Sequence, residues 1–269
     1  MRWMNRRPRH VWPWAIAPFI ALICIYAVGS CVRLSENAGD KLMPGGFTLF
    51  QTWYAMAFEL DARSGVYRFW QDTLVSLVRL GLGLTIAAGC SLALGVGLGV
   101  LPLARATFGS AVTAASMVPA LAVLPILFIV FGVGEVSKVA LIVIGTLPCM
   151  VRDLAQRVRE IPEEQWIKAQ TLGASTLQFT LRVVLPQILP RLIDSLRLSL
   201  GPAWLFLISG EAISATSGLG YRIFLVRRYL AMDVILPYVF WITLLAFLLD
   251  RVLLRVRARR YAWIDAEQA

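Results

Sequence analysis

IPEEQWIKAQTLGASTLQFTLRVVLPQILPR, residues 161–191, belongs to a polar, basic segment running from Arg152 to Arg191 in an otherwise apolar chain, and its reading decides the fold. Pro162 suits a first helical position, Glu163 and Glu164 favour the positive end of a helix dipole, and Gly173 can supply the left-handed turn that ends the helix. The spacing therefore predicts a short surface helix. Trp166, Ala169, Gln170 and Gly173 share one of its faces, a large anchor beside small residues that a groove on a partner would receive. Ser175 or Thr176 is predicted to cap a second short helix that stops before Pro186. The alternative is a merely solvated loop.

Outside this segment the expected solvent is the bilayer. With 58% apolar residues, 16% charged residues and a mean hydropathy of +0.71, the 269-residue chain reads as a membrane protein. The net charge of +10 does not point to nucleic acid, because most of the 26 Lys and Arg residues stand beside apolar segments, as membrane topology requires. Cys24, Cys31, Cys90 and Cys149 lack metal-ligand spacing and read as packing residues, and His10 has no Cys or carboxylate neighbour. No cofactor is expected.

Val11–Val32 carries 22 residues without a charge, enough for the roughly 20 needed to cross a bilayer. No small-residue cleavage site follows it, so it reads as a retained helix rather than a signal peptide. Further spans are expected at about 72–101, 106–134, 136–154, 192–214 and 234–254, which predicts an all-α membrane protein with six transmembrane helices. With the amino terminus inside, sixteen Lys and Arg residues fall in cytoplasmic segments, among them Arg2, Arg6, Arg7 and Arg9. Eight lie outside, including Arg63 and Lys138, and Arg79 and Arg197 stand within spans. The bias places both termini in the cytoplasm, although Arg222, Arg227 and Arg228 argue mildly the other way. Residues 33–70 read as an ordinary connecting loop, with a helix along the outer interface as the alternative.

Gly81, Thr85 and Gly89 form one four-residue ladder in the second span and Ser91, Gly95 and Gly99 another, both expected to let helices approach closely. Pro119 and Pro125 are expected to bend the third span into a kinked helix lining a path. In the fifth, Arg197, Gly201, Trp204, Ile208 and Glu211 fall near one face. Arg197 and Glu211 are about 21 Å apart at about 1.5 Å per residue and cannot pair. Asp194 stands where it would neutralise Arg197, whereas Glu211 either lines an entrance or caps helix contacts.

Three runs carry a resemblance. Ala169, Gly173 and, after nine intervening residues, Val183-Val-Leu185-Pro186 resemble the cytoplasmic coupling loop of bacterial ABC importer permeases, although Ile167 and Lys168 replace the family's Glu-Ala. Pro119-Ala-Leu-Ala-Val-Leu-Pro125 with Phe131-Gly-Val-Gly-Glu135 resembles permeases for nitrate, sulfonates and taurine. So does Ser195-Leu-Arg197 through Trp204, Glu211 and Ser217-Gly-Leu-Gly220 to Asp233. The resemblance implies a type I ABC importer permease fold and a non-catalytic role in a bacterial inner membrane. It also implies partners: cytoplasmic ABC ATPase subunits, a solute-binding protein and a second copy of the chain as a homodimer. Trp166, Ala169, Gly173, Leu185 and Pro186 would couple to the ATPase, and Pro119, Pro125, Arg197, Trp204 and Glu211 are candidates for the solute path. The expected organisation is a tail, first helix and outer segment (1–70), a permease core (71–255) with a coupling loop at about 155–190, and a basic tail (256–269). Neither a phosphate-binding loop nor a nucleophile with a His partner occurs, so a partner must supply the energy of ATP. The solute class is nitrate, sulfonate or taurine, or a urea- or guanidinium-like compound. A self-contained secondary transporter is the rival reading, without a clear internal repeat to support it.

Overall fold

The computed structural model describes residues 11–37, 40–60 and 65–263. Arg2, Arg6, Arg7, Arg9, His10 and Arg63 lie outside the described residues. Eleven α-helices are described: α1 (Val11–Glu36), α2 (Gly46–Phe58), α3 (Arg68–Val100), α4 (Pro102–Ala115), α5 (Ala120–Phe131), α6 (Glu135–Arg159), α7 (Glu163–Thr171), α8 (Thr176–Phe179), α9 (Leu185–Ser214), α10 (Leu219–Arg227) and α11 (Met232–Arg260). Five spans are long and apolar enough to cross a membrane, six if α4 and α5 together form one.

The chain divides into two compact units, one of residues Met1–Tyr67 with Val226–Val239 and the other of Arg68–Leu225 with Phe240–Ala269. In the first, Tyr26 donates to the Pro44 carbonyl at 2.8 Å and Ser30 to that of Met43 at 3.0 Å, which pins the chain leaving α1. The connecting loop favoured for residues 33–70 is replaced over α2 by a helix. Phe47, Phe50, Tyr54 and Phe58 recur at three- and four-residue steps on it and are exposed, the period of an apolar helical stripe.

The second unit is built on α3, α6 and α9. Gly83, Gly95 and Gly99 of α3 let α6 approach so closely that a Cβ there would lie 2.7, 2.7 and 2.4 Å from Ile142, Leu154 and Val158. Ala87 and Ser91 complete this four-residue ladder and are fully buried. The other ladder behaves differently from expectation. Gly81 and Gly89 meet nothing within 4 Å, because two residues along a helix turn the side chain about 200° away from α6. Gly81 and Thr85 instead line an apolar groove of about 500 Å³ with residues of α9 and α11. All four cysteines are exposed rather than packed inside.

The third expected span is not one kinked helix. α4 and α5 meet at 97° across residues 116–119, with Met117 and Val118 closing tight turns onto the Ala114 and Ala115 carbonyls. Pro119 disfavours helical Val118 and becomes the N-cap of α5, while Pro125 lies inside α5. At the other junction Ser175 caps α8 in a reciprocal capping box with Gln178. The helix starting there does not stop before Pro186. It continues through a single π-helical turn (Thr180–Val184) into α9. The wider turn relieves the clash that the Pro186 ring would make with the Arg182 carbonyl in a regular α-helix.

Candidate functional site: coupling surface, cavity and buried ion cluster

Residues 162–188 build a compact surface knob. Pro162 is the N-cap of α7, one position before the expected site, and Gly173 adopts φ 74°. There Gly173 N–H bonds to Gln170 and Ala174 N–H to Ala169, a left-handed helix end that favours glycine. The expected outward ridge is split: Gln170 and Gly173 face outward, whereas Trp166 and Ala169 turn to the bundle. Trp166 stacks on buried Phe179 at 4.1 Å between ring centroids, and both Trp166 and Ala169 pack onto a core of Val96, Leu154, Val158, Val184 and Ile188. Burying these apolar side chains against the core removes them from water, which draws them inward. The knob's exposed large apolar residues are Ile167, Leu172, Leu177 and Leu181, with Leu172 86% exposed. Leu185 is half-buried and Pro186 exposed where α9 begins.

A cavity of about 570 Å³ lies where the turn between α4 and α5 meets α5, α6 and α9. Pro119 lines it with Ser116, Thr146, Asp153, Ser195 and Ser199. The hydroxyls of Thr146 and Ser199 donate to the carbonyls of Ile142 and Ser195, so their protons are already committed to the backbone. Of the other path candidates, Pro125 is exposed away from the cavity. Trp204 is buried with its indole N–H unpartnered among the described residues. Arg197 is held by Asp250 on α11 at 2.8 and 3.3 Å, a better partner than Asp194 at 3.7 Å, which also receives Arg257.

Glu211 lies at neither an open entrance nor a plain helix contact. It is fully buried and accepts from Ser76 Oγ and Arg79 Nη1, each at 2.7 Å, and from Gly220 N at 2.8 Å. It belongs to a cluster of six charges. Arg79 also donates to the Ser217 carbonyl at 2.8 Å and, through Nη2 at 2.7 Å and Nε, to both oxygens of Glu135; Lys138 Nζ reaches Glu135 Oε1 at 2.9 Å. Asp72 accepts from Gly218 N at 2.8 Å and from Arg222 at 2.9 Å. Successive amides of Gly218, Leu219 and Gly220, at the start of α10, are thus taken up by Asp72, Ser76 and Glu211. A Cβ on Gly218 would sit 2.5 Å from Glu211 Oε1 and one on Gly220 would sit 2.6 Å from the Ile208 carbonyl, which accounts for Ser-Gly-Leu-Gly at 217–220.

Sequence reasoning missed Arg79, Lys138, Asp72 and Ser76. An ionisable residue within a span is a functional candidate by default, and Arg79 was the available signal.

The inner membrane component model of binding-protein-dependent transport systems matches residues 85–260. The chain is 34% identical to the taurine transport system permease protein TauC of Escherichia coli (strain K12) over 194 residues, 72% of this chain and 70% of that protein. It is 29% identical to the putative aliphatic sulfonates transport permease protein SsuC of the same strain, over 90% of each. To the bicarbonate transport system permease protein CmpB of Synechococcus elongatus it is 28% identical over 81% of each. An inward-facing structure of the MetNI methionine ABC transporter superposes with a TM-score of 0.64 at 20% identity, covering 74% of this chain and 99% of that one. The helical bundle, its apolar spans and these matches lead to one conclusion: the chain belongs to the binding-protein-dependent transport system inner membrane component family and is the membrane-spanning permease subunit of an ABC importer.

Proposed function

We propose that the chain works as a homodimer with two cytoplasmic ABC ATPases and a solute-binding protein, and that it carries a small oxyanion of the nitrate, sulfonate or taurine class into a bacterial cell. The solute class is brought from the relatives named above, of which one is described for taurine, one for aliphatic sulfonates and one for bicarbonate. Both termini face the cytoplasm, as the distribution of Lys and Arg favours.

The observation that carries the coupling role is the asymmetry of α7. Its inner face is packed against α3, α6 and α9 through Trp166 and Ala169, while Ile167 on α7, Leu172 at its end and Leu177 on α8 are left in the open. A lever that transmits ATPase closure requires one face tied to the bundle and one free for the partner. The cavity beside Pro119 has the size of a small-molecule site, whose usual range is about 300–1,000 Å³, and offers the solute a way through the bundle.

The test is affinity purification of the tagged chain in mild detergent with mass spectrometry of its partners, alongside Leu172→Glu. An ATPase recovered with the wild-type chain and depleted with Leu172→Glu is the expected result. Reproducible absence of any ATPase would overturn the proposed assembly.

A further inference from the structure

We propose that Arg79 and Lys138 form a binding site for a small oxyanion, and that the Glu135 carboxylate occupies this site as an internal stand-in when no solute is present. The inference rests on the reading of the chain as an importer of oxyanions, and it adds a place within the chain where the anionic group is held.

The first support is geometric. One edge of the Arg79 guanidinium, Nε and Nη2, faces both oxygens of Glu135, and Lys138 Nζ completes the set on Oε1 at 2.9 Å. A planar fork plus a point charge is the donor set that sulfonate or bicarbonate oxygens require. The rest of the guanidinium is already committed, since Nη1 is held by Glu211 at 2.7 Å and by the Ser217 carbonyl at 2.8 Å. Arg79 is therefore aimed and does not turn to follow its partner.

The second support is an asymmetry of burial. The side chains of Arg79 and Lys138 are 4% and 3% exposed, whereas that of Glu135 is 62% exposed. The cations are fixed inside the bundle and the anion stands at its surface, so the position of the carboxylate is open to a competitor from solution.

Charge supplies the third. Asp72 balances Arg222, and Glu211 offsets one of the two charges of Arg79 and Lys138. Among the described residues Glu135 is the sole acceptor for Lys138 Nζ. Withdrawing Glu135 alone would leave one uncompensated buried positive charge, so the carboxylate leaves as another anion arrives. Capture and release become an exchange. The returning carboxylate also keeps affinity low enough for the solute to move on.

The test uses the full-length permease with its copurified ATPase in phosphatidylcholine nanodiscs, titrated calorimetrically with ethanesulfonate, bicarbonate and the uncharged isostere ethanesulfonamide. Glycerol 1-phosphate serves as the mimic of a lipid headgroup. Glu135→Gln removes the internal competitor and is expected to bind ethanesulfonate or bicarbonate about ten-fold tighter or more, with no gain for ethanesulfonamide. Adding Lys138→Met to Glu135→Gln is expected to cancel the gain. If Glu135→Gln is too labile to titrate, its melting curve across ethanesulfonate concentrations replaces the titration, and recovery toward the wild-type midpoint is expected. Unchanged affinity, a gain that survives Lys138→Met, or no thermal recovery overturns the site. A response stronger for glycerol 1-phosphate than for either solute assigns the site to lipid and overturns its part in transport. Failure of the wild-type chain to retain an ATPase would instead overturn the permease assembly, whatever the titrations show.

Discussion

Replacing Glu211 by alanine should be among the most damaging single changes in the chain. The carboxylate is fully buried and accepts three hydrogen bonds, from Ser76 and Arg79 at 2.7 Å and from Gly220 N at 2.8 Å. Removing one partner of a buried ion pair costs about 3–5 kcal/mol, because the other charge is left uncompensated. Arg79 keeps Glu135 and the Ser217 carbonyl, which pulls the cost toward the lower end of that range. The Gly220 amide loses its acceptor, and a buried unsatisfied donor costs about 1–3 kcal/mol. The two effects overlap, and a loss of about 4 kcal/mol is expected for Glu211→Ala. Glu211→Gln keeps the volume and one acceptor oxygen and should lose roughly half as much. The assay is reversible unfolding of the purified chain in mixed micelles, followed by helical circular dichroism as the denaturing detergent fraction rises. A double-mutant cycle with Arg79→Met isolates the pair, for which a coupling of about 2 kcal/mol is expected. A loss below about 1 kcal/mol for Glu211→Ala, or a coupling within about 0.5 kcal/mol of zero, would mean that the carboxylate is hydrated and that the cluster is wrongly drawn.

Other changes probe the remaining contacts. Gly145→Ala places a Cβ 2.2 Å from the Phe206 ring and should cost about 1–3 kcal/mol in the same unfolding assay, with Phe206→Ala restoring part of the loss. Gly173→Val forces a β-branched residue to φ 74°, so α7 should lose its C-terminal turn and ATPase copurification should fall while membrane insertion persists. Trp166→Ala should lower both the melting temperature and ATPase capture, whereas Leu172→Glu should lower capture alone, since Leu172 touches solvent and Trp166 touches the core. Asp250→Asn should cost less than about 1 kcal/mol, because the Arg197–Asp250 pair is partly open to solvent; a cost of several kcal/mol would contradict that exposure.

Most of the long apolar helices were legible because hydrophobic length decides them, and the two short surface helices because Pro162, Gly173 and Ser175 act locally on the backbone. Tertiary partners were not legible. Trp166 reads as a free anchor on a helical wheel, and only the fold brings Phe179, Val158 and Val184 beneath it. The same blindness applies to the two small-residue ladders of α3, equivalent in spacing, of which one receives α6 and the other meets open space within the chain. Glu211 was legible as an acid deep in a span, but Arg79 lies 132 positions earlier, and no local pattern announces that pair. Residues 116–119 hid a different lesson. Periodicity continued on both sides, so proline chemistry suggested a kink where the chain turns through 97°.

The π-helical turn at Thr180–Val184 acts as a phase setting between the bundle and the knob it carries. An α-helix advances about 100° per residue, so deleting one residue there, which would restore a regular α-helix, would swing α7 and α8 about the axis of α9 by roughly that angle. Trp166 and Phe179 would then leave Val158 and Leu154 behind and carry Leu172 to a new azimuth. The number of residues in this one turn, more than their chemical identity, thereby decides the azimuth at which the bundle presents Leu172 and its neighbours.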